Sequence, residues 1–99
     1  MNYKLLISEE SVFEIEDAIL YYKKFESEKL LNRLNSQINI GLDCISTNPL
    51  NLAVKYKGIR IYNLKNFPYQ LHYLVDENLV NVIGFFHANS NPKNWNNRI

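Results

Sequence analysis

The chain has 99 residues, 46% hydrophobic, 13% aromatic and 21% charged, with only 3 Gly and 3 Pro. That length supports one core and no second domain, and that composition excludes disordered, collagen-like and low-complexity chains. The formal net charge of +1 is far from that of a strongly basic nucleic-acid domain, yet it is unevenly spread. Residues 1–47 hold eight acids and five bases, a sum of −3, whereas residues 48–99 hold six bases and two acids, a sum of +4. No acid lies between Asn48 and Val75, so a basic face for an anionic partner is expected from the second half, at Lys55, Lys57, Arg60 and Lys65.

Tyr3 to Ile7 is a short apolar run, read as a strand, and it contains neither a membrane span nor the longer apolar h-region of a secretory leader. The expected location is therefore the cytoplasm, with no membrane partner. Ser8, followed by Glu9 and Glu10, combines a helix N-cap with an acidic first turn that complements the positive helix end. Val12, Ile15, Ile19 and Tyr22 then recur at helical spacing, and Lys23-Lys24 suits the negative end, so a helix is predicted over about 9–24. Ser27 opens a second helix with the stripe Leu31, Leu34, Ile38, Leu42 and Ile45, stopped by Asn48-Pro49. Two amphipathic helices joined by so short a link make an antiparallel hairpin.

From Ala53 onward the helical period gives way to aromatic and β-branched residues, with turns at Asn66-Phe67-Pro68 and Asp76-Glu77-Asn78. Strands are expected at about 58–65, 69–75 and 80–87, forming an antiparallel meander joined by the N-terminal strand. Strict alternation sets Tyr69, Leu71, Tyr73 and Val75 on one face, and in the last strand Val80, Val82, Gly84 and Phe86 against Asn81, Ile83, Phe85 and His87. Both faces are apolar, which predicts the helical hairpin on one and the C-terminal segment or a partner on the other. The fold class is α+β. An irregular tail is expected from about residue 88, with Trp95 as its anchor.

Candidate chemistry is sparse. Cys44 is the single cysteine, and the two histidines stand apart, so neither a disulfide within the chain nor a metal-ligand spacing is present, and no metal or cofactor is expected. No Ser-His-Asp set or glycine-rich phosphate loop occurs. His87 at a strand end has the right ordinary pKa for acid–base work, and Arg60 offers a planar fork for phosphate. Each also fits a structural role. His72, among apolar neighbours, reads as structural, while Tyr21, Tyr22, Tyr62, Tyr69 and Tyr73 fit either base stacking or core packing.

The order β-α-α-β-β-β resembles that of the RelE/ParE superfamily, the toxins of type II toxin–antitoxin, or plasmid stabilisation, modules. The residues that carry the resemblance are Tyr21-Tyr22, Asn48-Pro49, Gly58-Ile59-Arg60, Phe67-Pro68-Tyr69 with Tyr73, and Phe86-His87 followed by Asn91-Pro92 and Trp95. They span nearly the whole chain, which implies a single toxin domain over 1–99 and a cognate antitoxin as partner. A ParE-like member inhibits growth by binding DNA gyrase, whereas a RelE-like member is a metal-independent endoribonuclease that cuts mRNA on the ribosome. Arg60 and His87 would be catalytic only in the second case. Gln70 and the run Ala88-Asn89-Ser90 stand where relatives often carry arginine, and each missing cation removes a phosphate contact. A ParE-like toxin is therefore the leading expectation, a RelE-like nuclease the alternative, and a degenerate toxin-fold binding module the third. The antitoxin is expected to bring an acidic, amphipathic segment to Lys55, Lys57, Arg60 or Lys65.

Overall fold

Ser8 divides an extended strand from a helix. The computed structural model describes residues 3–89, in which β1 (Lys4–Ile7) is followed by α1 (Glu9–Phe25) and α2 (Glu28–Thr47). The hydroxyl of Ser8 accepts from the Ser11 amide at 3.1 Å, and Ser27 does the same for Leu30 at 3.1 Å, so both helices begin on a hydroxyl cap. Glu26 and Ser27 are all that separates the two helices, which form the expected hairpin. Pro49–Asn51 forms a 3₁₀ turn, and the sheet then continues as β2 (Val54–Tyr56), β3 (Ile59–Asn63), β4 (Tyr69–Asp76) and β5 (Leu79–His87).

The strand order is β1-β5-β4-β3-β2, antiparallel throughout except that β1 runs parallel to β5, with Lys4 beside Leu79 and Ile7 beside Val82. The α+β class and the helix-covered sheet are as expected, with one strand more than the sequence reading placed. That strand, β2, pairs with β3 through a two-residue link, Lys57-Gly58, whose φ values of 43° and 79° are those of a turn between right-twisted strands. Residues 58 and 64–65, assigned to the first meander strand, lie outside β3, with Gly58 and Lys65 in turns.

The core lies between the hairpin and one face of the sheet and contains Ala18, Leu34, Ile38, Ile45, Leu71, Tyr73, Val80, Val82 and Phe85. On α1 the buried stripe is displaced from the expected one. Val12 is exposed, and Ser11 and Ala18 are buried in line with Ile15 and Tyr22. Two small side chains let α1 settle on β5, where the Ser11 hydroxyl donates to the Val82 carbonyl at 3.3 Å. Gly41 plays the same part on α2, because a Cβ there would stand 2.8 Å from the Tyr62 ring and 3.0 Å from Leu71.

Alternation in β5 fails at one residue. His72 pairs with Gly84 but Tyr73 with Val82, so Ile83 is an extra residue, a β-bulge. The bulge brings Phe85 to the helix side, stacked on Tyr69 at 5.0 Å and 10°, and turns Gly84 and Phe86 to the other. The face away from the helices buries Ile59, His72 and Phe86. There His72 Nδ1 lies 2.8 Å from the Tyr56 hydroxyl, and its Nε2 lies 3.3 Å from Gln70 Oε1, the structural role expected of it. The expected irregular tail and Trp95 fall outside the described residues, apart from a turn at Ala88-Asn89.

Candidate interaction surface

Arg60 is engaged inside the fold. Its position opposite Tyr73 turns it towards the helices, where the guanidinium donates to the Leu52 carbonyl just after the 3₁₀ turn. Tyr73 reaches the same segment, its hydroxyl donating to the Pro49 carbonyl at 2.7 Å. Burial raises the Tyr73 phenol above its ordinary pKa, and the nearby Arg60 charge opposes part of that rise. The two side chains together fasten residues 49–52 to the sheet.

His87 ends β5 in the open, its ring edge-on to Tyr69 at 5.6 Å, and its Nδ1 accepts the Asn89 amide at 3.1 Å. Glu14, Asp17, Tyr21, Tyr69 and Phe85 join His87 around a hollow of about 340 Å³. One oxygen of Glu14 accepts the Phe85 amide at 3.1 Å. No lysine or arginine among the described residues lines this hollow.

Arg60 and His87 do not share a site. They stand opposite Tyr73 and Tyr69, four residues apart along β4 and on strands either side of it, which separates their Cα atoms by roughly 16 Å. The basic residues are scattered as well. Lys55 and Lys57 lie on β2 and its turn, whereas Lys65 lies beyond the far end of β3. Among the described residues no group of three or more His, Cys, Asp or Glu is placed to hold a metal ion.

What the structure does assemble is aromatic. Tyr21 and Phe25 pack at 5.0 Å on the open side of α1, Tyr21 meets Tyr22 at 5.9 Å, and Tyr22 meets Phe67 at 5.8 Å and Tyr69 at 6.3 Å. Burial raises the phenols of Tyr22 and Tyr69, the first also through the charge of Glu26 and the second through Tyr22 and Tyr21. Lys24 sets its ammonium 5.5 Å from the Phe25 ring centre. Phe13, Leu20, Tyr21 and Phe25 are 53–63% exposed, all on α1. Large apolar side chains left in water on one helix are the usual mark of a surface that meets another protein. The sequence reading missed this surface because it took Tyr21 and Tyr22 together. Only Tyr22 faces the core, and the two lie 100° apart around the helix.

No family model matches the chain, and no curated protein matches it in sequence. Among solved structures, a chain of the "Chromosomal ParDE TA system from P. aeruginosa" matches with a TM-score of 0.73 over 86% of this chain and 95% of that chain, at 10% identity. At that identity the likeness is one of backbone, and the protein has a ParE/RelE-like fold.

Proposed function

We propose that the protein is the toxin of a toxin–antitoxin module, of the ParE-like kind, acting in the cytoplasm by protein contact on a topoisomerase such as DNA gyrase and neutralised by a cognate antitoxin. The observation that carries this reading is the backbone match over 95% of a ParDE chain. The separation of Arg60 from His87 favours contact over RNA cleavage, because a phosphate clamp and a proton donor must meet at one phosphodiester. Exposed Phe13, Leu20, Tyr21 and Phe25 supply the apolar area that such contact uses.

The test is expression of the chain with and without the product of the neighbouring open reading frame, with growth, message integrity and DNA breaks followed together. Growth arrest with intact message and accumulated breaks, relieved by the neighbour, is the expected result. Message cleavage that His87→Gln lowers by about 10²- to 10⁴-fold would establish the nuclease alternative instead. A chain that arrests nothing yet binds its neighbour's product would be the degenerate binding module.

A further inference from the structure

The outer face of α1 carries its own complement. At about 100° per residue, Glu9, Phe13, Leu20 and Lys24 fall within roughly 60° of one another around the helix, on the side away from the buried Ser11 and Ala18. Phe13 and Leu20 are 56% and 59% exposed, and Glu9 and Lys24 are exposed as well. Acids in the first turn and lysines in the last suit the dipole of any helix. The dipole does not account for two large apolar side chains set in water between those charges. Tyr21, also exposed, widens the apolar strip on one flank.

The positions are symmetric about one point. Phe13 and Leu20 are centred between Glu16 and Asp17, and so are Glu9 and Lys24. A two-fold axis through that point, perpendicular to the helix, lays a second α1 antiparallel on the first. Each Phe13 then packs on the other copy's Leu20, and each Glu9 meets the other copy's Lys24, so that apolar side chains and opposite charges pair in a single register.

We infer that this face of α1 docks a second copy of the chain, as an antiparallel helix pair in a symmetric dimer. An unrelated helix would have to reproduce the order acid, apolar, apolar, base at this spacing, whereas a second copy supplies it by symmetry. One helix of 17 residues, roughly 25 Å long, buries less than the standard interface area of about 1,600 Å², so the pair belongs to the weak class that forms at concentrations on the order of 0.1 mM. Glu16 and Asp17 fall beside the axis and meet their own copies, a like-charge cost that weakens the pair further. The pairing does not rest on the toxin reading. Where that reading also holds, a second copy and the target use the same side chains of α1 and exclude one another.

The test is sedimentation equilibrium of the purified full chain from about 10 μM to 1 mM, a range that brackets the expected association. The wild type should rise from monomer to dimer and no further. Phe13→Ser/Leu20→Ser should stay monomeric throughout, with its melting curve little changed because both side chains are exposed in the monomer. Glu9→Lys and Lys24→Glu should each self-associate about tenfold more weakly, since each puts like charges at both ends of the pair. Mixed together, the two single variants should regain wild-type affinity, measured by anisotropy of a fluorescein-labelled Glu9→Lys chain titrated with Lys24→Glu. That rescue cannot come from misfolding. Asp17→Asn should strengthen the dimer by about two- to fivefold through loss of the central repulsion. A chain that remains monomeric at 1 mM, a mass that grows past the dimer, or a Glu9→Lys chain that pairs with itself as well as with Lys24→Glu would overturn the inference. Growth plays no part in these measurements, so a dimer that arrests nothing would refute the toxin reading and leave the pairing in place.

Discussion

Gly84 lies under the ring of Phe86, two residues along the same strand, and the ring occupies the space that a side chain would need. A Cβ at position 84 would stand 2.5 Å from Cζ of Phe86 and closer still to Cε2, where ordinary contact begins at 3.4 Å. The ring must therefore move by about 1 Å or more, yet Phe86 is 6% exposed and its edge meets the His72 ring at 4.7 Å and 84°. The backbone is held on the β4 side, where Gly84 pairs with His72, so the ring is the part that must give way. Overpacking costs about 1–3 kcal/mol, and expelling a buried phenylalanine costs about 3–5 kcal/mol, against less than ~1 kcal/mol gained from replacing a strand glycine. Gly84→Ala should then destabilise by about 2–4 kcal/mol. For a chain of this size that lowers the melting temperature by roughly 10–25 °C, read by circular dichroism and by urea midpoints. In a Phe86→Ala background the same substitution should cost less than about 0.5 kcal/mol, because the obstructing ring is gone. A Gly84→Ala protein that melts within a few degrees of the wild type, or an equal cost in both backgrounds, would refute the reasoning.

Leu34→Ala removes a fully buried side chain from the helix stripe and should cost about 2–5 kcal/mol in urea unfolding. Arg60→Ala frees the Leu52 carbonyl and the 3₁₀ turn, so it should cost about 1–2 kcal/mol, and growth arrest should fall only as far as folded protein does; arrest abolished at unchanged stability would return Arg60 to the site. The Tyr73 phenol, raised by burial above its ordinary value of 10.0, keeps its proton longer when folded than when unfolded. Its contribution is complete below pH ~10 and lost as pH rises through the folded value, so wild-type stability should fall in alkali more steeply than that of Tyr73→Phe, measured as urea midpoints between pH 8 and 11. His87→Gln should leave growth arrest intact, with no message cleavage by either protein, if contact alone is the mechanism.

The helices were legible because each announces itself locally, with Ser8 and Ser27 as caps, an apolar period of 3.6, and Pro49 as a stop. The strand β2 was not, since three residues are too few to show alternation, and Gly58 looked like the start of a strand rather than part of the turn before it. The bulge at Ile83 has no signature in the sequence. Valine, isoleucine and phenylalanine fill β5 on both sides, and an apolar strand accepts either register until its partners decide. The contact that Arg60 makes was not legible for a different reason: its partner is a backbone carbonyl, which every residue possesses and no residue type reveals. One gathering of cations was hidden by a linear count of charge. Lys29 and Arg33 sit in the acidic half of the chain, but the fold sets them around one groove with Lys65, thirty-two residues beyond Arg33.

The parallel pairing of β1 with β5 also sets an order of events during synthesis. Lys4 meets Leu79, so the first strand has no partner until most of the chain has been made, while the helical hairpin and the β2–β4 ladder need only nearby residues. At about 5–20 residues per second, β1 waits roughly 4–15 s for β5. Throughout that interval Leu5 and Ile7 are exposed on an unpaired backbone, and closing the parallel pair carries the entropic cost of the longest loop in the sheet. Closure of this sheet is therefore gated by β5, and a truncation before Leu79 should leave a hairpin and a partial sheet with an uncovered seat where β1 belongs.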